Sequence, residues 1–295
     1  MAPFRVLILL SFSALFPLGV SIAPASAADQ AAIARGAYLA AAGDCAACHT
    51  DKKAHTPPLA GGRALATPFG TFYGPNITPD PDTGIGKWSA ADFHRAMREG
   101  KDDGGHYMFP VFPFTSFTGM TDQDIADLYA YLMSRPPVKR DAPAHQVKFP
   151  FGWRFLLLGW RTLFFSPGPL EPVPDRTDEW NRGRYLAEAV VHCEECHTPR
   201  NFLGALDREH AYAGNLHGPD GNEAPDLTSD AKDGLGDWKV EDIAEVLATG
   251  LTPDGDSVGE GMTEVVEGTS KLTDDDRRAI AVYIKSLPAL SQTPK

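Results

Sequence analysis

Two pentapeptides, Cys45-Ala46-Ala47-Cys48-His49 and Cys193-Glu194-Glu195-Cys196-His197, hold all four cysteines of the 295-residue chain, and each ends in histidine. Thiols spaced C-x-x-C lie one helical turn apart, so each can form a thioether with one vinyl group of a haem. The histidine that follows then falls beneath the iron as an axial ligand. Two other readings are redox-active C-x-x-C sites and a structural zinc site of Cys and His. A thioredoxin-like site wants a βαβ setting, and no alternating, β-rich sequence surrounds either motif. A shared zinc site would have to close across the 144 residues between Cys48 and Cys193. Neither explains a histidine after both pairs. The expected cofactors are therefore two covalently bound haem c groups, on Cys45, Cys48, Cys193 and Cys196, with His49 and His197 as iron ligands.

The amino terminus says where such chemistry is completed. Residues 1 to 27 have a basic start at Arg5, an apolar run from Val6 to Val20 and a small-residue end, Ala25-Ser26-Ala27. This pattern predicts a secretory signal peptide. Its apolar run is short and broken by Pro17, a poor membrane span. The expected location is the periplasm, with peripheral contact on the inner membrane as an option. The formal charge is −12, and removing the leader takes away Arg5 and no acid, which moves it to −13. An acidic chain is a poor electrostatic partner for nucleic acid and for an anionic membrane surface. A basic patch on a redox protein suits it better.

Internal repetition organises the rest. Arg35-Gly36-Ala37-Tyr38-Leu39-Ala40 precedes the first motif and Arg182-Gly183-Arg184-Tyr185-Leu186-Ala187 the second. Further on, Pro75-Asn76-Ile77-Thr78, Trp88 and Gly100 recur 150 residues later as Pro225-Asp226-Leu227-Thr228, Trp238 and Gly250. The chain reads as a tandem duplication. Its expected parts are residues 28–136, a linker over 137–177, and residues 178–290.

Positioning elements are expected to be helical. Residues 30 to 42 and 178 to 191 are the predicted opening helices, and Ser89 to Arg98 and Lys239 to Thr249 carry helical periodicity. Closing helices are predicted from Thr121 and Thr273, where a threonine cap precedes acids in the first turn. Gly- and Pro-rich loops with little strand pattern lie between them. The fold class expected is all-α, a few helices wrapped on a haem in each half. A buried porphyrin would supply core that so few side chains lack.

Each half resembles a class I cytochrome c domain: opening helix, C-x-x-C-H, proline loop, and a closing helix ending in Tyr131-Leu132 or Tyr283-Ile284. More narrowly, the Arg-Gly-x-Tyr-Leu runs, Pro75 to Asp80, Thr83 to Trp88, Leu128 to Leu132 and Glu179 to Gly183 resemble cytochrome c subunits of bacterial membrane-bound alcohol and sugar-acid dehydrogenases. Those subunits usually carry three haems. This chain has two C-x-x-C-H motifs. The resemblance makes the Pro75 and Pro225 carbonyls candidates to support the haem histidines, with a role as plain turn residues the other reading. Trp88 and Trp238 are candidates for a propionate contact or, as the plainer reading, for core packing.

Sixth ligands separate the halves. Met262 sits where a class I cytochrome places its distal methionine, and His/Met ligation favours reduced iron. Subtracting 150 from Met262 gives Phe112, which cannot ligate iron. For the first haem the candidates are Met108 and Met120, with His106 third and an open iron as the remaining option.

The linker contains five phenylalanines, two tryptophans and two arginines between Phe149 and Phe165. Packing between the halves, with part of its face open to a partner, is the expectation; an interfacial membrane segment is the alternative. No Ser/His/Asp or paired-carboxylate constellation marks a substrate site, so no catalytic residue is assigned. The expected function is that of a periplasmic dihaem cytochrome that passes electrons from a dehydrogenase towards the respiratory chain. The alternative is a haem enzyme or small-ligand binder acting at an open first haem.

Overall fold

The computed structural model describes residues 27–218 and 221–290. The predicted leader therefore lies, except for Ala27, outside the described residues. The chain is mostly helical and belongs to one continuous apolar core that draws on both halves, from Leu39, Met97 and Leu128 to Leu186, Ile243 and Ile280.

In the first half, alanine-rich α1 (Ala27–Ala42) is followed by the short α2 (Cys45–His49), α3 (Ala90–Glu99), α4 (Phe114–Phe117) and α5 (Asp122–Met133). Alanine costs least in a helix, which suits α1. Ser89 and Asp92 close a reciprocal capping box on α3, and Gly100 ends it in the left-handed region at φ 59°. The Thr121 hydroxyl accepts from Asp124 N at 3.1 Å, which starts α5 at the predicted cap. Opening and closing helices cross at Gly36: a Cβ there would come within 2.0 Å of the Asp127 carbonyl oxygen. Only glycine allows that approach.

The second half repeats this layout after the linker helix α6 (Leu156–Phe164): α7 (Asp178–Tyr185), α8 (Glu194–His197), α9 (Val240–Thr249), α10 (Glu260–Thr269) and α11 (Asp274–Lys285). Gly183 plays the part of Gly36, with a Cβ placed 1.8 Å from the Ala279 carbonyl oxygen. Thr273 caps α11 at Asp276 N, 3.2 Å away.

The predicted opening helix over 178–191 is not continuous. Residues Leu186–Val190 form a π-helical turn. Arg35 stands ten residues before Cys45, whereas Arg182 stands eleven before Cys193. A π turn absorbs one inserted residue while keeping the helix on its axis, so both motifs leave their helices in the same way.

The all-α expectation also needs correction. A three-stranded antiparallel sheet joins β1 (Ala64–Thr67), β2 (Gly70–Tyr73) and β3 (Gln146–Val147). The β1–β2 hairpin turns at Pro68-Phe69, where Thr67 pairs with Gly70 at φ 129°. Runs of four residues are too short to show alternation in sequence, and Thr71, Phe72 and Tyr73 are strand formers that a loop reading passes over. β3 comes from the linker, which is also held by Asn76 Nδ2 donating to the Val138 carbonyl at 2.7 Å.

Candidate functional site

Each haem motif is launched by a residue in the left-handed region, Asp44 at φ 47° and His192 at φ 50°. Such a conformation is uncommon outside glycine. Here it redirects the chain directly out of the preceding helix into the first cysteine. Behind α2, Gly74 permits close contact: a Cβ would lie 1.8 Å from the Cys48 carbonyl oxygen.

The histidines are aimed from behind. His49 Nδ1 lies 2.7 Å from the Pro75 carbonyl oxygen, and His197 Nδ1 lies 2.8 Å from that of Pro225. Proline carbonyls accept, so Nδ1 carries the proton and Nε2 keeps its lone pair facing away. Burial, opposed by those hydrogen bonds, lowers the pKa of both rings, which keeps them neutral.

The loops that deliver the two prolines match atom for atom. Gly61 N donates to the His49 carbonyl at 2.7 Å and Gly214 N to that of His197 at 2.8 Å. Thr50 and Thr198 follow the histidines, and their hydroxyls accept from Leu59 N at 3.0 Å and Tyr212 N at 2.9 Å. Leu59 and Tyr212 both take positive φ, 65° and 64°. Arg63 holds the Ala47 carbonyl and Arg200 the Glu195 carbonyl, each at 2.9 Å, bracing the residue before the second cysteine. These supports were not read from the sequence, although a threonine after both pentapeptides was a visible cue.

The cysteines are half-buried and not joined as disulfides. Burial pushes the Cys45 and Cys193 thiols up to about 12. A nucleophilic C-x-x-C site lowers its thiol instead, so the shift at Cys45 and Cys193 runs in the direction opposite to that of a redox-active pair. Among the described residues no group of three or more His, Cys, Asp or Glu side chains is placed to hold a metal ion. Paired thiols one turn apart, with a neutral imidazole oriented by a proline carbonyl, fit a c-type haem on both counts.

The sixth-ligand candidates are spread differently. Met262 lies in the first turn of α10, half-buried against the core, and Phe112 is half-buried against the same core in the first half. Met108 is half-buried in the loop after α3, its N bonded to the Gly100 carbonyl at 2.9 Å. Met120 is 1% exposed and enclosed by core residues. His106 is exposed, with its Nδ1 3.1 Å from Asp102 Oδ1. Trp88 and Trp238 both pack against the core.

The halves also serve each other's motifs. Thr115 and Ser116 of α4 donate to Glu195 Oε1 at 2.7 and 3.0 Å, inside the second motif. Glu264 of α10 pairs with Arg63, which braces the first motif. Despite burial, Glu195 is held below its ordinary carboxylate range by Arg200 and Thr115.

The cytochrome c family profile matches residues 33–136 and 181–288. The chain is 46% identical over 260 residues to a subunit of nicotinate dehydrogenase from Pseudomonas putida, covering 88% of this chain and 22% of that one. It is 44% identical to a "Diheme cytochrome c-type" protein of Cereibacter sphaeroides, covering 87% and 86% of the two chains. Identity to the fructose dehydrogenase cytochrome subunit of Gluconobacter japonicus is 39%, covering 92% and 55%. The chain thus spans well under two thirds of two of these three relatives. It belongs to the cytochrome c family. Membership implies covalent haem c and a role in electron transfer.

Proposed function

We propose that this chain is a periplasmic dihaem electron-transfer subunit that takes electrons one at a time from a dehydrogenase and passes them towards the respiratory chain. Haem c, when bound, supplies the one-electron chemistry. The observation that carries the reading is the duplicated support of a ligand histidine, His49 on Pro75 and His197 on Pro225. Two profile-matched regions and the dihaem relative support a count of two haems. Relatives named as dehydrogenase subunits support a dehydrogenase as electron donor. Export rests on the leader pattern of residues 1 to 27.

In this reading Cys45, Cys48, Cys193 and Cys196 hold the haems, His49 and His197 are proximal ligands, and Met262 is distal at the second. Met108 is the better distal candidate at the first. It keeps a face uncovered by protein, whereas Met120 is packed on all sides and has none to offer a porphyrin. His106 is turned to solvent against Asp102. An absorption spectrum of the oxidised, purified protein, with a redox titration, tests this. Two low-spin haems with methionine-to-iron charge-transfer absorption are expected.

Phe112 favours a second reading, since it stands where the other half has Met262. A first haem without a protein sixth ligand would bind carbon monoxide and act as an enzymatic or sensing centre. One high-spin, carbon monoxide-binding haem in the same preparation would replace the first reading by this one.

A further inference from the structure

The segment Phe149 to Leu163 departs from ordinary surface composition. Phe149 is 78% exposed, Leu163 70%, Phe155 66%, Leu158 55% and Trp153 52%. One face of α6 is anchored: Leu157 is buried, and Trp160 Nε1 donates to the Leu203 carbonyl at 3.0 Å. Arg161 lies over the rings of Tyr107 and Phe165, 4.7 Å from each centroid, and donates to the Glu99 carbonyl. The opposite face carries Phe155, Leu156, Leu158, Gly159, Thr162 and Leu163, all exposed. Its one polar side chain, Thr162, turns its hydroxyl back to the Leu158 carbonyl. A surface helix normally hides its apolar stripe. This one displays it.

A contiguous apolar surface of this kind marks an interaction site, and charge decides the occupant. From Ala142 to Leu170 there is no Asp or Glu, in a chain of net charge −12; Arg161 is turned to the anchored face, and the exposed cations are Lys148 and Arg154, the latter donating one guanidinium nitrogen to the Tyr107 carbonyl. An acidic protein is repelled by an anionic bilayer except where such a basic, acid-free stretch faces it. Trp153 touches Phe149 and Phe155 at centroid distances of 5.0 and 5.6 Å. Tryptophan and phenylalanine beside arginine suit the headgroup layer. The nine residues of α6 cannot cross a bilayer, and among the described residues no helix is long and apolar enough to do so.

We propose that Phe149 to Leu163 seats the protein on a lipid bilayer, with α6 lying in the plane of anionic headgroups. Trp153, Phe155, Leu158 and Leu163 enter the acyl boundary and Arg154 meets phosphate. Phe202, 88% exposed, adjoins Leu203, whose carbonyl holds Trp160.

Flotation with phosphatidylglycerol–phosphatidylcholine vesicles tests this on the exported, haem-loaded protein, with leader removal verified by mass. The wild type is expected to float, less on pure phosphatidylcholine and less at high salt. Substituting the exposed trio, Trp153→Ser, Phe155→Ser and Leu163→Ser, is expected to weaken binding about tenfold or more, with haem spectrum and melting unchanged. Absence of flotation at saturating lipid, or equal flotation of the variant, overturns the proposal. So does a concentration-dependent dimer that the variant abolishes without any vesicle binding. Redox titration of both proteins is unaffected by either result, so failure here leaves the electron-transfer reading standing.

Discussion

The Tyr38 hydroxyl donates to Asp276 Oδ2 at 2.6 Å, joining the opening helix of the first half to the closing helix of the second. The same hydroxyl accepts from Thr273 N at 3.1 Å, at the amino end of α11. Tyr185 returns the contact, donating to Asp124 and accepting from Thr121 N at 3.2 Å. Each half thus caps the other's closing helix. Burial and the carboxylate each one meets raise the pKa of both tyrosines, so both remain donors at neutral pH.

Removing one hydroxyl tests whether this exchange binds the halves together. Tyr38→Phe is expected to cost about 1–3 kcal/mol, because it leaves the Thr273 amide and Asp276 short of a partner. Urea unfolding followed by haem absorbance and by circular dichroism is expected to stay a single coincident transition. Separate transitions for the two halves in the wild type would contradict a shared core.

Two carboxyls set opposite pH dependences. Asp276 sits below its ordinary value of 3.8 although burial pushes it up, because Arg182 and Tyr38 donate to it. Its contribution is complete above 3.8 and is lost as pH falls through the lower folded value. Burial, with Glu264 next, pushes the Asp44 carboxyl up to about 7. The folded state then holds that proton more tightly, so stability is complete below 3.8 and declines as pH rises to about 7. Asp276→Asn is expected to destabilise at about pH 7 and little at about pH 2. Asp44→Asn is expected to stabilise the fold at about pH 8 and to change it little at about pH 3. Denaturant midpoints at these pH values check both signs.

The helix crossings depend on glycine. Gly36→Ala or Gly183→Ala puts a methyl within 2.0 Å of a backbone oxygen on the closing helix. Backbone cannot yield like a side chain, so a loss of about 3 kcal/mol or more is expected. Gly159→Ala is the control for steric contact, since a Cβ there meets nothing within 4 Å and its backbone is helical. Thermal unfolding of the three variants compares them directly.

Haem attachment is testable one motif at a time. Replacing Cys193 and Cys196 by Ala is expected to halve the haem per polypeptide in a pyridine haemochrome assay. Cys45 and Cys48 are expected to behave the same way. Full haem content after either change would contradict attachment at these thiols.

Met262→Ala separates the two centres. The second haem is expected to lose its methionine charge-transfer band and fall in potential, since His/Met ligation raises it. The first is expected to keep its potential. Met108→Ala is expected to act on the first haem alone, and Met120→Ala to destabilise the fold by about 2–5 kcal/mol as a core truncation.

Much of this was open to reading from the residue string alone. Both C-x-x-C-H motifs, the repeat and the threonine caps of α5 and α11 are local patterns, since thioether spacing and capping involve residues within a turn of each other. The π turn at Leu186–Val190 was implicit in the extra residue between Arg182 and Cys193. What depended on folding is non-local. The sheet joins Gly70 to Val147 across the linker, Tyr38 reaches Asp276, and Glu195 is held by Thr115. No periodicity encodes such pairings, because they exist only once the two similar halves have buried one core between them. Burial likewise separated Met120 from Met108 and turned the apolar side of α6 outward, and exposure is a property of the packed chain rather than of residue type.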